Sequence, residues 1–123
     1  MEEIWKDIKG YEGIYKISNF GRVKSFKCNK ERILKTTKNK AGYIKIGIGD
    51  TNNRKTFYIH RLIAELFIPN PLNKPEINHI NGNKSDYRIE NLEWINHREN
   101  IQHAISILHK NIGKYDRTNI KNL

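Results

Sequence analysis

Two hydrophobic periods divide the chain. Up to about residue 59 apolar positions alternate in short runs, and beyond it they recur every three or four residues. Ile14-Tyr15-Lys16-Ile17 and Arg22-Val23-Lys24-Ser25-Phe26 flank Ser18-Asn19-Phe20-Gly21, which predicts a hairpin around a turn whose Asn and Gly tolerate unusual dihedrals. Arg32-Ile33-Leu34-Lys35 predicts a further strand, and Lys38-Asn39-Lys40-Ala41-Gly42 a basic loop. Tyr43 to Gly49 sets Ile44, Ile46 and Ile48 on one face, and Asp50 to Asn53 turns the chain into a strand at Thr56-Phe57-Tyr58-Ile59. Together these predict one small antiparallel sheet with a basic outer face. Leu62, Ile63, Leu66 and Phe67 then share one side of a short helix that ends near Pro69 and Pro71, because proline lacks the amide proton and restricts the residue before it. This helix is expected to cover the sheet. Glu76-Ile77-Asn78-His79 and Leu92-Glu93-Trp94-Ile95 predict two strands joined by a polar loop, Ile80 to Asn91. A second helix starts at Asn96 or His97, with Ile101, Ile105, Leu108 and Ile112 as its apolar stripe. Lys114 to Leu123 has no period and is expected to fray, and no internal repeat is visible.

Charge changes this picture by being uneven. The 123 residues carry a formal net charge of +10. From Lys16 to Lys55 there are twelve basic residues against two acidic ones, Glu31 and Asp50, so that segment holds the whole excess and the rest is neutral. An isolated charge run is usually a solvated face. Interleaved with strands and aromatics, it points instead to a polyanion, nucleic acid before membrane surface. The length allows one domain or two small modules on a shared core and excludes a large multidomain enzyme. No apolar run approaches the roughly 18 residues that span a bilayer, and the acidic start Met1-Glu2-Glu3 is unlike a secretory signal. The lone Cys28 can form no internal disulfide and no Cys-rich zinc site, as expected of an intracellular, unsecreted protein.

The neutral half carries residues suited to cutting a phosphodiester. That reaction needs a base for water, a cation for the charge on phosphorus and the leaving oxygen, and a scaffold. Histidine, with an ordinary pKa of about 6.5, offers a free imidazole nitrogen at cellular pH. A hard cation such as Mg²⁺ takes oxygen ligands, amide carbonyls included. His79 at a strand end, Asn91 twelve residues on and Asn100 nine further can supply these parts in one unit.

Asn78 to Asn100, NHINGNKSDYRIENLEWINHREN, resembles the ββα-metal motif of HNH nucleases, in the His-Asn-Asn form of phage intron-encoded homing endonucleases. His60 to His79 resembles the stretch that leads into the catalytic hairpin of those proteins, and Trp5 to Ser25 resembles the small DNA-binding module often found at their N-terminus. The likeness covers roughly residues 5 to 110, and three motifs in family order are more specific than any one. The resemblance implies that His79 is the general base, that Asn91 holds the loop and the imidazole in place, and that Asn100 and Asn78 are the metal ligands. Many members have aspartate where this chain has Asn78. A neutral ligand set should bind Mg²⁺ weakly unless substrate phosphate adds charge, and Asn78→Asp should tighten metal binding in the free protein.

Other residues have two readings each. His103, a turn beyond Asn100, faces either the scissile phosphate or solvent. Asp86 is a turn residue or acts through water, and Asn81-Gly82 is a turn. Arg61 contacts a phosphate or pairs with Glu65. Tyr11 and Tyr15 pack or touch DNA, and Trp94 belongs to the core.

The expected protein is α+β: a basic antiparallel β-sheet DNA-binding module over residues 1–59, an HNH ββα-metal catalytic unit with its lead-in helix over 60–112, and a flexible tail over 113–123. The implied function is metal-dependent endonuclease activity with Mg²⁺ or Mn²⁺, nicking double-stranded DNA as a monomer or weak dimer in host cytoplasm or nucleoid. Arg22, Lys24, Lys27, Lys35, Lys38, Lys40, Lys45 and Arg61 are the expected DNA contacts. The competing expectations are an HNH-derived DNA-binding protein without cleavage and, from charge alone, an RNA-binding protein, for which no aromatic RNA-recognition signature is present. Family members often continue into a helix-turn-helix module. The sequence to Leu123 shows none, as expected of a short or a truncated member.

Overall fold

A computed structural model describes the backbone of residues 1–112 and the side chains through Leu108. The expected tail and the side chain of Ile112 lie outside the described residues. Among the described residues the fold is α+β, with three antiparallel sheets and two α-helices.

The basic segment forms two sheets rather than the single one expected. The first has four strands in sequential order, β1 (Trp5–Asp7), β2 (Tyr15–Ser18), β3 (Val23–Ser25) and β4 (Arg32–Ile33). The second has three, β5 (Thr37–Lys38), β6 (Ile44–Ile48) and β7 (Lys55–Tyr58). The sequence pattern missed β1 because three residues cannot display an alternation. Tertiary hydrogen bonds fix it: Asn19 Oδ1 accepts from the Ile4 amide at 2.7 Å, and Asn19 Nδ2 donates to the Glu2 carbonyl at 3.0 Å. β5 takes up the start of the expected basic loop, pairing Thr37 with Lys45 and Lys38 with Ile44.

The β2–β3 turn is the expected one. Gly21 has φ +85°, and a Cβ there would land inside the Tyr87 ring, so both its conformation and its neighbour require glycine. Ser18, fully buried, accepts from the Phe20 and Arg22 amides through Oγ.

α1 (Ile59–Phe67) buries Ile59, Leu62, Ile63 and Ala64 and ends where Ile68, extended ahead of Pro69, leaves the helix. Lys6 Nζ donates to the Leu66 carbonyl at 2.8 Å, placing a cation at the helix C-terminus. One core joins Ile8, Tyr15, Ile17 and Val23 of the first sheet region to Ile46 and Ile48 of the second. Ile59, Leu62 and Ile63 of α1 and Leu92 of the last hairpin complete it. The hydrophobic contact is therefore continuous across residue 59. Trp94 is half-buried and donates its indole N–H to the Ile68 carbonyl at 3.0 Å.

That last hairpin is β8 (Glu76–His79) with β9 (Leu92–Ile95), in the register Glu76↔Ile95, Asn78↔Glu93 and His79↔Leu92. α2 (His97–Ile112) follows at once. It starts with a capping box: Asn96 Oδ1 accepts from the Glu99 amide at 2.8 Å, and Glu99 Oε1 accepts from the Asn96 amide at 3.0 Å. Of the expected apolar stripe of α2, Ile105 is half-buried. Ile101 is 48% exposed and Leu108 is also exposed, while Asn100, His103, Ala104 and Ile107 line the cleft against the hairpin. Gly82 lies under Ile107, with room that a larger side chain would narrow.

Candidate active site

The loop from Ile80 to Asn91 is rigidified by short polar side chains. Asn91, 5% exposed, accepts from the Asn81 amide through Oδ1 at 2.9 Å and donates Nδ2 to the Asp86 carbonyl at 2.9 Å. Its carbonyl accepts from the Ile80 amide. Asn91 thus ties both ends of the loop together, and its side-chain bonds go to the loop rather than to the imidazole of His79. Asp86 is a structural loop residue: Arg88 binds both its oxygens at 2.8 Å and holds its carboxyl far below the usual range.

His79 ends β8 and is 6% exposed. Its Nε2 is buried without a hydrogen-bond partner. Burial pushes its pKa below 6.5, the Asp86 charge opposes this and Lys84 adds to it. The neutral imidazole, the form a base requires, is thereby favoured. Its ring sits 4.8 Å from that of His60 and 5.7 Å from that of Tyr43, and Tyr43 stacks on His60 at 5.1 Å.

His60 and Tyr43 were not among the expected site residues. The only sequence signal for His60 was its place beside Arg61 in the lead-in stretch, and Tyr43 looked like any strand aromatic. Burial, then the nearby charges of His79 and Arg61, lower the His60 pKa to about 4. Tyr43 and Tyr58 also face this imidazole. The folded state therefore resists a proton that the unfolded chain accepts at its ordinary pKa of 6.5. Stability is then full above about pH 6.5 and falls as the pH drops toward about 4, with His79 acting in the same direction. The expected result is a melting temperature lower at pH 5 than at pH 7, and a smaller difference in His60→Phe. An undiminished difference in that variant would contradict the assignment to His60.

A cleft of about 260 Å³ opens between the hairpin and α2, lined among others by Tyr43, Asn78, His79, Lys84, Asn100 and His103. Four of the sequence-predicted residues thus fall within one small unit, Asn78, His79 and Asn100 on the cleft and Asn91 behind its loop. His103 lines the same wall, with Nε2 buried and unpartnered. Lys84, unforeseen from the sequence, lies 5.4 Å from the Tyr43 ring.

The two asparagines present oxygen. Asn78 Nδ2 donates to Glu93 Oε1 at 2.9 Å, and Asn100 Nδ2 donates to Glu76 Oε1 at 3.2 Å. An ionised carboxylate only accepts, so each amide turns its nitrogen to the glutamate and leaves its oxygen. No hydrogen bond among the described residues engages either Oδ1. Two hard oxygens fit Mg²⁺ or Mn²⁺, which complete their shell with water and phosphate. Among the described residues no cluster of three or more His, Cys, Asp or Glu could hold a metal by itself.

The expected DNA contacts divide into two groups. Arg22 is bound to Glu3, whose carboxyl it holds at a pKa of about 2. Lys24 is 2.7 Å from Glu31 and 4.2 Å from the Trp5 ring, Lys27 is 2.9 Å from Asp50, and Arg61 is 3.3 Å from Glu65. Of the two readings of Arg61 the structure contains the pair with Glu65. Lys35, Lys38, Lys40 and Lys45 have no carboxylate partner among the described residues. Tyr11 and Tyr15 pack edge to face at 5.5 Å, and both belong to the core.

Known proteins resemble this chain over most of its length. Residues 3–49 match the NUMOD4 motif, and residues 57–102 match an HNH endonuclease family. The chain is 45% identical over 111 residues to an uncharacterized HNH endonuclease of Acanthamoeba polyphaga mimivirus, covering 84% of this chain and 26% of that protein. It is 39% identical over 110 residues to the DNA endonuclease I-HmuI of Bacillus phage SP01, covering 89% and 62%. A solved structure described as DNA binding and cleavage by the HNH homing endonuclease I-HmuI superposes with a TM-score of 0.72 at 35% identity, over 99% of this chain and 65% of that one. The chain therefore spans from about a quarter to just under two thirds of the length of these relatives.

Proposed function

Since this chain carries an HNH endonuclease domain at residues 57–102 behind a NUMOD4 motif at 3–49, we propose that it is a divalent-metal-dependent endonuclease that nicks double-stranded DNA. The observation that carries the reading is the convergence of His79, Asn78 and Asn100 on one cleft. His79, through its neutral imidazole on the cleft, takes a proton from water, and the resulting hydroxide attacks phosphorus in line. Asn91 keeps the loop after His79 closed, so the imidazole stays at the strand end. Tyr43 and His60 pack against the ring and limit its motion. Asn78 and Asn100 would hold the cation, which when bound stabilises charge on the departing 3′ oxygen. One such cleft cuts one strand, so a monomer nicks and a double-strand break requires a second binding event. The protein would do this inside the cell that holds its DNA.

Supercoiled plasmid incubated with the protein and Mg²⁺ or Mn²⁺ is expected to become open circular, and EDTA is expected to stop the conversion. Duplex binding without any nicking in either metal would instead favour a DNA-binding protein that has lost cleavage.

A further inference from the structure

We propose that Glu93 and Glu76 are positioning residues that orient and polarise the two amide ligands, supplying from behind the negative charge that the ligands themselves lack. The inference rests on the reading of Asn78 and Asn100 as the metal ligands.

The pleat and register put these groups together. Glu76 and Asn78 are two residues apart on β8 and so share one face. Glu93 is the cross-strand partner of Asn78, which places it on that face as well. Asn78 is 5% exposed, and its buried NH₂ group has the Glu93 carboxylate as acceptor at 2.9 Å. Glu76 reaches the first turn of α2 with both oxygens, Oε1 to Asn100 Nδ2 at 3.2 Å and Oε2 to His97 Nδ1 at 3.3 Å. Each carboxylate therefore acts on an amide nitrogen and leaves that amide's carbonyl oxygen without a hydrogen-bond partner among the described residues.

A carboxylate on the NH₂ side draws amide resonance toward the C–O⁻ form, which makes the oxygen a stronger ligand for a hard cation. Its own negative charge, one residue removed, also attracts the cation without occupying a coordination position. The expectation that Asn78→Asp tightens metal binding then changes. That substitution would put a carboxylate beside Glu93, so the two repel and the hydrogen bond between them disappears. The gain should appear only when Glu93 is neutralised at the same time.

The test is Mn²⁺ titration of the DNA-free protein, read by loss of the free-ion paramagnetic resonance signal, with a thermal melt of each variant. Glu93→Gln can still accept from Asn78 Nδ2, so it should melt like the parent yet bind Mn²⁺ about tenfold more weakly. Its nicking should recover at high Mn²⁺, because affinity is reduced and not the chemical step. Asn78→Asp alone should gain little, whereas Asn78→Asp with Glu93→Gln should bind at least as tightly as the parent. Unchanged Mn²⁺ affinity in Glu93→Gln, alongside a clear loss in Asn100→Ala, would overturn the inference and leave the ligand assignment standing. Unchanged affinity in Asn100→Ala would overturn the ligand assignment, and the inference with it.

Discussion

Replacing His79 with alanine is expected to slow nicking by about 10²–10⁴-fold, the usual share of a general base, while duplex affinity changes less than about twofold. The size follows from the position of the ring. It is nearly buried, lines the cleft, and carries no charge that a phosphate would need. Burial favours its neutral form, and the neighbours that lock it, Tyr43 and His60, are packed against it from elsewhere in the chain. Truncation removes the proton acceptor and leaves the basic sheets untouched. The measurement is single-turnover nicking of a bound duplex beside a filter-binding or anisotropy titration. A variant that still nicks at the parent rate would remove His79 from the mechanism, and one that loses binding in parallel would mean its role is in the DNA interface.

The second large effect concerns the lysines that have no carboxylate partner among the described residues. Substituting Lys35, Lys38, Lys40 and Lys45 together with glutamine should flatten the dependence of log affinity on log salt by about 3 to 4, at about 0.9 for each phosphate no longer neutralised. At near-physiological salt the same relation gives an affinity loss on the order of 10²–10³-fold. Arg22, Lys24 and Lys27 are already paired with Glu3, Glu31 and Asp50 respectively, so releasing them for DNA would first break those pairs. Glutamine at those three positions should therefore shift the salt slope by well under half as much. A single-turnover rate that stays constant at saturating DNA in the four-lysine variant would match a division between holding and cutting. Equal effects from the two sets would show that the ion pairs of the free protein do not select the DNA-binding residues.

Much of the local structure was legible. The β2–β3 hairpin, the helix ending before Pro69, the last hairpin and the start of α2 all follow from turn residues, proline and period. The first strand was not legible, because Trp5–Asp7 is defined by Asn19 reaching back to it across the turn. Nor was the split of the basic region into two sheets, since the same alternating strands could pair in either arrangement. Which side of α2 lines the cleft was not legible from its period: of the stripe, Ile101 and Leu108 are exposed and Ile105 is half-buried, while Asn100, His103, Ala104 and Ile107 line the cleft.

For the site, the sequence alone determined which residues are candidates for the chemistry, because His79, Asn91 and Asn100 lie in one short segment at spacings a hairpin and helix can close. It also determined that the charge lies in the other half of the chain. Only the tertiary structure decided what each residue has to work with. Strand register set Glu93 against Asn78, and helix packing set Glu76 against Asn100. Burial by residues as distant as Tyr43 and His60 set the protonation of His79 and its freedom to move. The reason is physical: ligand identity is a property of a side chain, whereas basicity, orientation and available charge depend on neighbours that chain order does not specify.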